Sequence, residues 1–149
     1  MTKTIVKITF FLVAFSLIIS MIGCASTPKA IQFAGGSITI AGNQAGDPQE
    51  TIFYRKAGNG PQTIVLVPGN NTSGAIFEPI MEIIAGEEWA NAYTVFTFDY
   101  RGSGLSSYNT EIRGLNDFAI DFEKTMQQIP EIPEQGVALL GYSMGFAVA

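Results

Sequence analysis

The sequence predicts an α/β fold: a mixed, mostly parallel sheet with helices packed on its faces, set behind a leader segment that does not belong to it. Three observations carry this. Continuous apolar runs at residues 63–67, 93–98 and 137–140 have the composition of strands buried on both faces. The stretches between them place apolar residues at helical spacing, and strand, helix, strand, helix, strand is the order that builds parallel pairing through crossovers. Two shorter alternating segments ahead of these runs are joined by turn residues and read as an antiparallel pair, which makes the sheet mixed.

Residues 1–23 stand apart from the fold. Lys3 and Lys7 give a positive start, Ile8 opens an apolar run of about 15 residues against the roughly 20 that a bilayer span requires, and small residues follow at Gly23, Cys24 and Ala25. That is the grammar of an export signal. Met21-Ile22-Gly23-Cys24 also resembles the bacterial lipobox, although leucine is more usual where Met21 stands. The resemblance implies that Cys24 becomes the lipidated first residue of an exported protein, held by acyl chains at the membrane on its periplasmic or extracellular face. Residues 24–36, with Pro28 and Lys29, then form the lipidated cysteine and its tether, and 37–149 form the folded domain. It also accounts for the chain's one cysteine, since a single thiol cannot close an internal disulfide. An uncleaved anchor and an ordinary secretory signal remain open readings of the same residues.

Within the domain, Ile38 and Ile40 alternate with Thr39, and Ile52 and Tyr54 with Phe53, so segments 37–41 and 51–56 read as strands around a Gly/Pro/Asp loop. Pro68-Gly69-Asn70-Asn71 ends the run at 63–67. Ile76, Ile80, Ile83 and Ile84 then recur at helical spacing and predict the buried stripe of a helix. After the run at 93–98, Asp117 is placed to cap a second helix with Phe118, Phe122, Met126 and Ile129 on its apolar side, stopped by Pro130 and Pro133.

Composition narrows the function classes. With 149 residues, 47% hydrophobic and 14% charged, the chain has material for one folded domain and does not resemble a disordered one. The net charge of -5 offers no basic footprint for nucleic acid. Loss of Lys3 and Lys7 with a leader makes the remainder more acidic, so electrostatic adhesion to anionic lipid is not expected. Gly102-x-Gly104 hints at a dinucleotide loop, but the third glycine of that pattern falls on Ser107, and neither cofactor nor metal is expected.

Gly141-Tyr142-Ser143-Met144-Gly145 follows the last apolar run. Gly-x-Ser-x-Gly in that position is the pattern of a nucleophile elbow, whose glycines permit a strained strand-to-helix turn that lifts the serine hydroxyl above the sheet. A plain strand-to-helix turn uses the same residues. Two further segments bear on the choice: Asp99-Tyr100-Arg101-Gly102-Ser103-Gly104-Leu105-Ser106 resembles the Asp-x-Arg-Gly-x-Gly-x-Ser segment after strand 4 of the α/β-hydrolase superfamily. Leu66-Val67-Pro68-Gly69-Asn70 stands where that superfamily has its His-Gly-x turn after strand 3. The resemblance spans residues 63–145 and implies the sheet order 1-2-4-3-5, with Ser143 as nucleophile. The backbone N–H groups of Asn70 and Met144 then form the oxyanion hole, and Gly141 and Gly145 are the elbow glycines. Because backbone donors do that work, Pro68 in place of histidine leaves the hole intact. Asp99 and Arg101 read as a structural pair holding the turn, and Asn70-Asn71-Thr72 as a polar loop. Phe77, Trp89 and Tyr93 read as core or helix-face residues.

The expected chemistry is cleavage of an ester or amide in a small-molecule substrate whose identity the sequence does not give. A serine nucleophile argues against the dehalogenases, which share the fold and use aspartate. A serine hydroxyl needs a base, and the chain has no histidine. The superfamily supplies base and acid after strand 5, so the resemblance implies the amino-terminal part of a longer hydrolase, cut after the elbow, inactive alone, with 137–140 as an open sheet edge. The alternative is a non-catalytic surface lipoprotein that uses the sheet as a binding or interaction module.

Overall fold

The computed structural model describes residues 33–149. The expected leader, Cys24 and most of the tether lie outside the described residues. Strands β1 (Ala34–Ile40) and β2 (Glu50–Gly58) come first, then β3 (Gln62–Val67), a 3-10 turn at Gly74–Phe77, helix α1 (Glu78–Ala85), β4 (Tyr93–Phe98), helix α2 (Leu115–Gln128), β5 (Val137–Gly141) and a short helix α3 (Met144–Val148). The sheet order is β1-β2-β4-β3-β5, as the resemblance implied. β1 runs antiparallel to β2 and β2 to β4, while β3 pairs in parallel with both β4 and β5.

Side-chain alternation splits the core into two layers. Val65, Val67, Phe96 and Phe98 point to one face and pack with Ile40, Ile52, Phe118, Phe122 and Ile129. Leu66 and Val95, one residue out of step, point to the other and pack with Ala57, Phe77 and Met81. Each such fully buried side chain contributes about 1.5–3 kcal/mol. The predicted runs at β3 and β4 are covered on both faces because α1 takes one and α2 the other.

Three expectations change. Most of the isoleucine stripe of the 3-10 turn and α1 faces outward: Ile76, Ile80 and Ile83 are exposed, Ile83 at 63%, while Met81 is fully buried and Phe77 nearly so. Residues 77, 81, 84 and 85 share the same three-and-four spacing one residue along, and the sheet takes that face, on which Ile84 and Ala85 are packed. Asp117 is not the cap of α2; Gly114 holds that position and Asp117 lies in the first turn. From there its carboxylate accepts the Arg113 backbone N–H at 2.7 Å and the Asn43 side-chain amide at 3.2 Å. Finally, β5 is not buried on both faces as its apolar composition suggests: Leu139 and Leu140 are exposed, and the strand lies at the sheet edge, as expected for 137–140. It is apolar like β3 and β4, but among the described residues only β3 pairs with it.

This topology positions the site. α1, which follows β3, packs with Leu66 and Val95, and α3, which follows β5, contributes Met144 and Val148 to the opposite layer. The chain therefore leaves the carboxyl ends of two neighbouring strands toward opposite faces, which opens the crevice where ligands bind in open α/β sheets.

Candidate active site

Ser143 stands at the carboxyl end of β5 with φ 53° and ψ -121°. A non-glycine residue there costs about 1–3 kcal/mol and persists only where neighbours enforce it. The neighbours are visible. Tyr142 N–H donates to the Val67 carbonyl at 3.0 Å, which ties the elbow to the end of β3. Gly145 N–H donates to the Tyr142 carbonyl at 2.9 Å and Phe146 N–H to the Ser143 carbonyl at 3.1 Å, closing the chain into α3 around the serine. A side chain at Gly141 would strike the Phe146 backbone, and one at Gly145 would strike the Val67 carbonyl and stand 2.7 Å from that of Pro68. Both glycines are required by close approach, and the Ser143 side chain is left exposed.

The turn after β3 lies directly against this elbow. A Cβ built on Gly69 falls 3.1 Å from the Ser143 Cβ and 3.1 Å from the Tyr142 carbonyl oxygen. Asn70 follows and is exposed; Asn71 turns the loop at φ 58°, and the Thr72 hydroxyl donates back to the Gly69 carbonyl at 2.9 Å. Met144 is the first residue of α3, so its N–H has no intrahelical acceptor. Among the described residues neither the Asn70 nor the Met144 amide enters a turn, loop or cap hydrogen bond. Elbow serine and strand-3 turn are thus brought together, with two main-chain donors unused beside them.

The Asp99 to Ser106 segment is structural, with partners that differ from those expected. Asp99 is fully buried and does not pair with Arg101. Its carboxylate accepts Arg55 Nη1 at 2.9 Å, Gly74 N–H at 2.7 Å and Leu105 N–H at 2.9 Å, holding together β2, the 3-10 turn and its own loop. Gly104 is needed because any side chain there would meet that carboxylate. Ser106 Oγ donates to the Asp99 carbonyl at 2.6 Å and accepts the Phe53 N–H at 2.9 Å.

Arg101 is buried and makes a two-point contact with Asp121 of α2, its Nε donating to Oδ2 at 2.6 Å and its Nη2 to Oδ1. Its Nη1 lies 3.8 Å from Glu50 Oε1 and has no hydrogen bond. Burial works against the guanidinium charge, but the Asp121 hydrogen bond and the charges of Asp121 and Glu50 outweigh it and raise its pKa. Glu50 is also fully buried, and no motif in the sequence marks it. Burial pushes its carboxyl up, and hydrogen bonds from Ser107, Asn109 and Thr110 more than offset that, holding it below the ordinary carboxylate value. Burial, and secondarily the Asp121 charge, pushes the Tyr100 hydroxyl above its usual range. Over this network opens a cleft of about 310 Å³ whose lining includes Gly69, Asn70, Asn71, Ser103, Tyr108 and Phe118. It begins at the turn that touches Ser143.

Comparison with known proteins follows the same outline. The family model described as serine aminopeptidase, S33 matches residues 59–149. No curated protein matches the chain. A bromoperoxidase from Bacillus anthracis is similar at 30% identity and a TM-score of 0.59, over 77% of this chain and 37% of that one. A haloalkane dehalogenase loop variant from Bradyrhizobium elkanii is similar at 20% identity and a TM-score of 0.61, over 79% and 35%. The thioesterase domain from the curacin biosynthetic pathway is similar at 22% identity and a TM-score of 0.58, over 78% and 40%. The latter two likenesses concern the fold. The chain spans well under half the length of each of these structures.

Proposed function

The chain belongs to the serine aminopeptidase S33 family of α/β-hydrolases, and on that premise we propose that it carries the nucleophile half of an acyl-bond hydrolase site. Ser143 is the attacking residue, and the N–H groups of Asn70 and Met144 receive charge as it develops on the carbonyl oxygen of an ester or amide. The single observation behind this reading is the positive φ of Ser143, enforced by contacts from the ends of β3 and α3 that leave the side chain exposed beside the Gly69 turn. A serine in an ordinary strand-to-helix turn has no need of that strain.

The 149-residue chain contains no histidine, so the proton of the serine hydroxyl lacks the usual acceptor and the chain alone is expected to be nearly silent. Export and lipid anchoring through Cys24 belong to the same proposal and rest on the leader's composition. Among the described residues no helix is long and apolar enough to cross a membrane. A second reading, a surface lipoprotein that binds partners through its sheet, is favoured by one feature, the exposed apolar edge formed by Leu139, Leu140, Tyr142 and Phe146.

A fluorophosphonate probe separates these readings. On the purified chain labelling is expected to be slow, to accelerate when free imidazole is supplied as a base, and to map to Ser143 by peptide mass spectrometry. Rapid labelling without imidazole contradicts the silence of the chain. Labelling spread over several serines at similar rates contradicts the nucleophile assignment and leaves the binding module.

A further inference from the structure

The loop that carries Asn70 is held at its two ends by groups of different kinds. At its start Gly69 lies against the elbow, where an added Cβ would fall 3.1 Å from the Tyr142 carbonyl oxygen. Thr72 Oγ1 donates back across the turn to the Gly69 carbonyl at 2.9 Å. At its end stands Gly74, whose N–H donates to Asp99 Oδ1 at 2.7 Å. The same oxygen accepts Arg55 Nη1 at 2.9 Å, and Oδ2 accepts the Leu105 N–H at 2.9 Å. Asp99 is fully buried, so these donors take the place of water around its charge. Packing leaves the end of the loop little room to shift: a Cβ on Gly104 would stand 2.9 Å from Ser73 Cβ, and one on Gly74 would stand 2.7 Å from Thr97 Oγ1. Between the two ends Asn70 is exposed, and among the described residues its N–H enters no turn, loop or cap hydrogen bond. The direction of that N–H is therefore inherited from the ends. Met144 is placed otherwise, by the elbow's own bonds from Gly145 N–H to Tyr142 and from Phe146 N–H to Ser143. No partner of Asp99 lies in the elbow or in α3.

We propose that Asp99 is a positioning residue: through Gly74 it aims the Asn70 N–H at the substrate's carbonyl oxygen, and it has no part in placing the Met144 N–H. The two donors are thus mounted independently, one on the elbow and one on a clamp between the turns after β3 and β4. The catalytic consequence rests on the reading of Ser143 as nucleophile; the clamp on residues 69–74 does not. Outright removal of one such donor slows turnover by about 10²–10³, and a donor that is present but loosely aimed costs less.

The test compares the full 149-residue chain, labelled with nitrogen-15, with two variants: Asp99→Ala, and Asp99→Ala combined with Arg55→Met, which also removes the guanidinium left without that carboxylate. Each is phosphonylated on Ser143 with imidazole present, and the Asn70 and Met144 amide signals are read before and after. In both variants Met144 is expected to move as far as in the unsubstituted chain and Asn70 less than half as far, with labelling slowed about tenfold. Equal attenuation of the two signals, the mark of a general loosening, overturns the proposal, and so does full movement of both. Hydrogen exchange in the unsubstituted chain reads the clamp without the serine and without either variant. There the Gly74 N–H is expected to exchange at least about a hundredfold more slowly than those of Asn70 and Asn71; equal rates overturn the proposal even if neither variant folds. Failure of Ser143 to label in the unsubstituted chain sinks the nucleophile reading and the catalytic consequence with it, while the Gly74 rate still decides the clamp.

Discussion

At the scale of single residues, the site rests on positions where one atom more is too many. Gly145 lies against the Val67 and Pro68 carbonyls, and neither backbone oxygen can move without unravelling the end of β3. Gly145→Ala is therefore expected to cost about 1–3 kcal/mol of stability, read by urea denaturation, and to shift Ser143 away from the Gly69 turn. The buried ion pair is a second such position. Asp121→Ala leaves the Arg101 guanidinium inside the protein without its hydrogen-bonded carboxylate, Glu50 lying 3.8 Å away, and the expected loss is about 3–5 kcal/mol. A loss under about 1 kcal/mol would mean that water reaches Arg101 in the folded protein. The sequence made the elbow legible because Gly-x-Ser-x-Gly after an apolar run encodes its own geometry. It did not make the partners of Asp99 and Arg101 legible. Arg55 reaches Asp99 because β2 runs antiparallel beside β4, with Tyr54 opposite Phe98, and that register is a property of the assembled sheet. The role of Glu50 is not legible for the same reason, since its donors lie more than fifty positions away.

At the scale of elements, β5 is the most consequential. β4 runs from Tyr93 to Phe98 as its composition predicts, because a continuous run of aromatic and β-branched residues between turn formers leaves little choice of limits. β5 has the same apolar character and a different environment. Among the described residues nothing pairs with its outer edge, and a groove of about 770 Å³ lined by Phe122, Met126, Ile132 and Leu139 runs beside it. Exposed edges of this kind pair with other chains. Sedimentation is expected to show concentration-dependent association of the chain, and Leu140→Lys, which sets a charge on the exposed edge, is expected to reduce it. A monomer at all concentrations would show that the edge is blunted in some other way. The α1 stripe teaches the complementary lesson. Two faces of that helix and the 3-10 turn before it satisfy helical spacing, Ile76, Ile80 and Ile83 on one and Phe77, Met81 and Ile84 on the other. Periodicity gives a helix and not which apolar face the sheet will cover.

At the scale of the whole molecule, the buried carboxylates tie stability to pH. Glu50 and Asp117 both have folded-state values held below the ordinary ones of 4.5 and 3.8, by hydrogen bonds to Glu50 that exceed its burial penalty and chiefly by the Arg113 backbone hydrogen bond to Asp117. A depressed carboxylate contributes stability that is fully present above its unfolded value and lost as pH falls through the folded one. Unfolding free energy is thus expected to be flat from about pH 7 to pH 5 and to drop below about pH 4.5. Glu50→Gln is expected to flatten that drop while lowering stability at neutral pH, as read by denaturant titrations across the range. An acid limb unchanged in that variant would place its origin elsewhere. The same sheet that buries these groups carries the ends of β3 and β5 side by side and sends the following helices to opposite faces, so the site is a consequence of topology before it is one of chemistry. In the proposed reaction Ser143 attacks a carbonyl whose oxygen then lies between two main-chain donors. The most direct measurement is the amide proton spectrum of the chain before and after phosphonylation of Ser143. The Asn70 and Met144 signals are predicted to move strongly downfield together as they bond the phosphonyl oxygen; movement of neither, or of one without the other, contradicts the assignment.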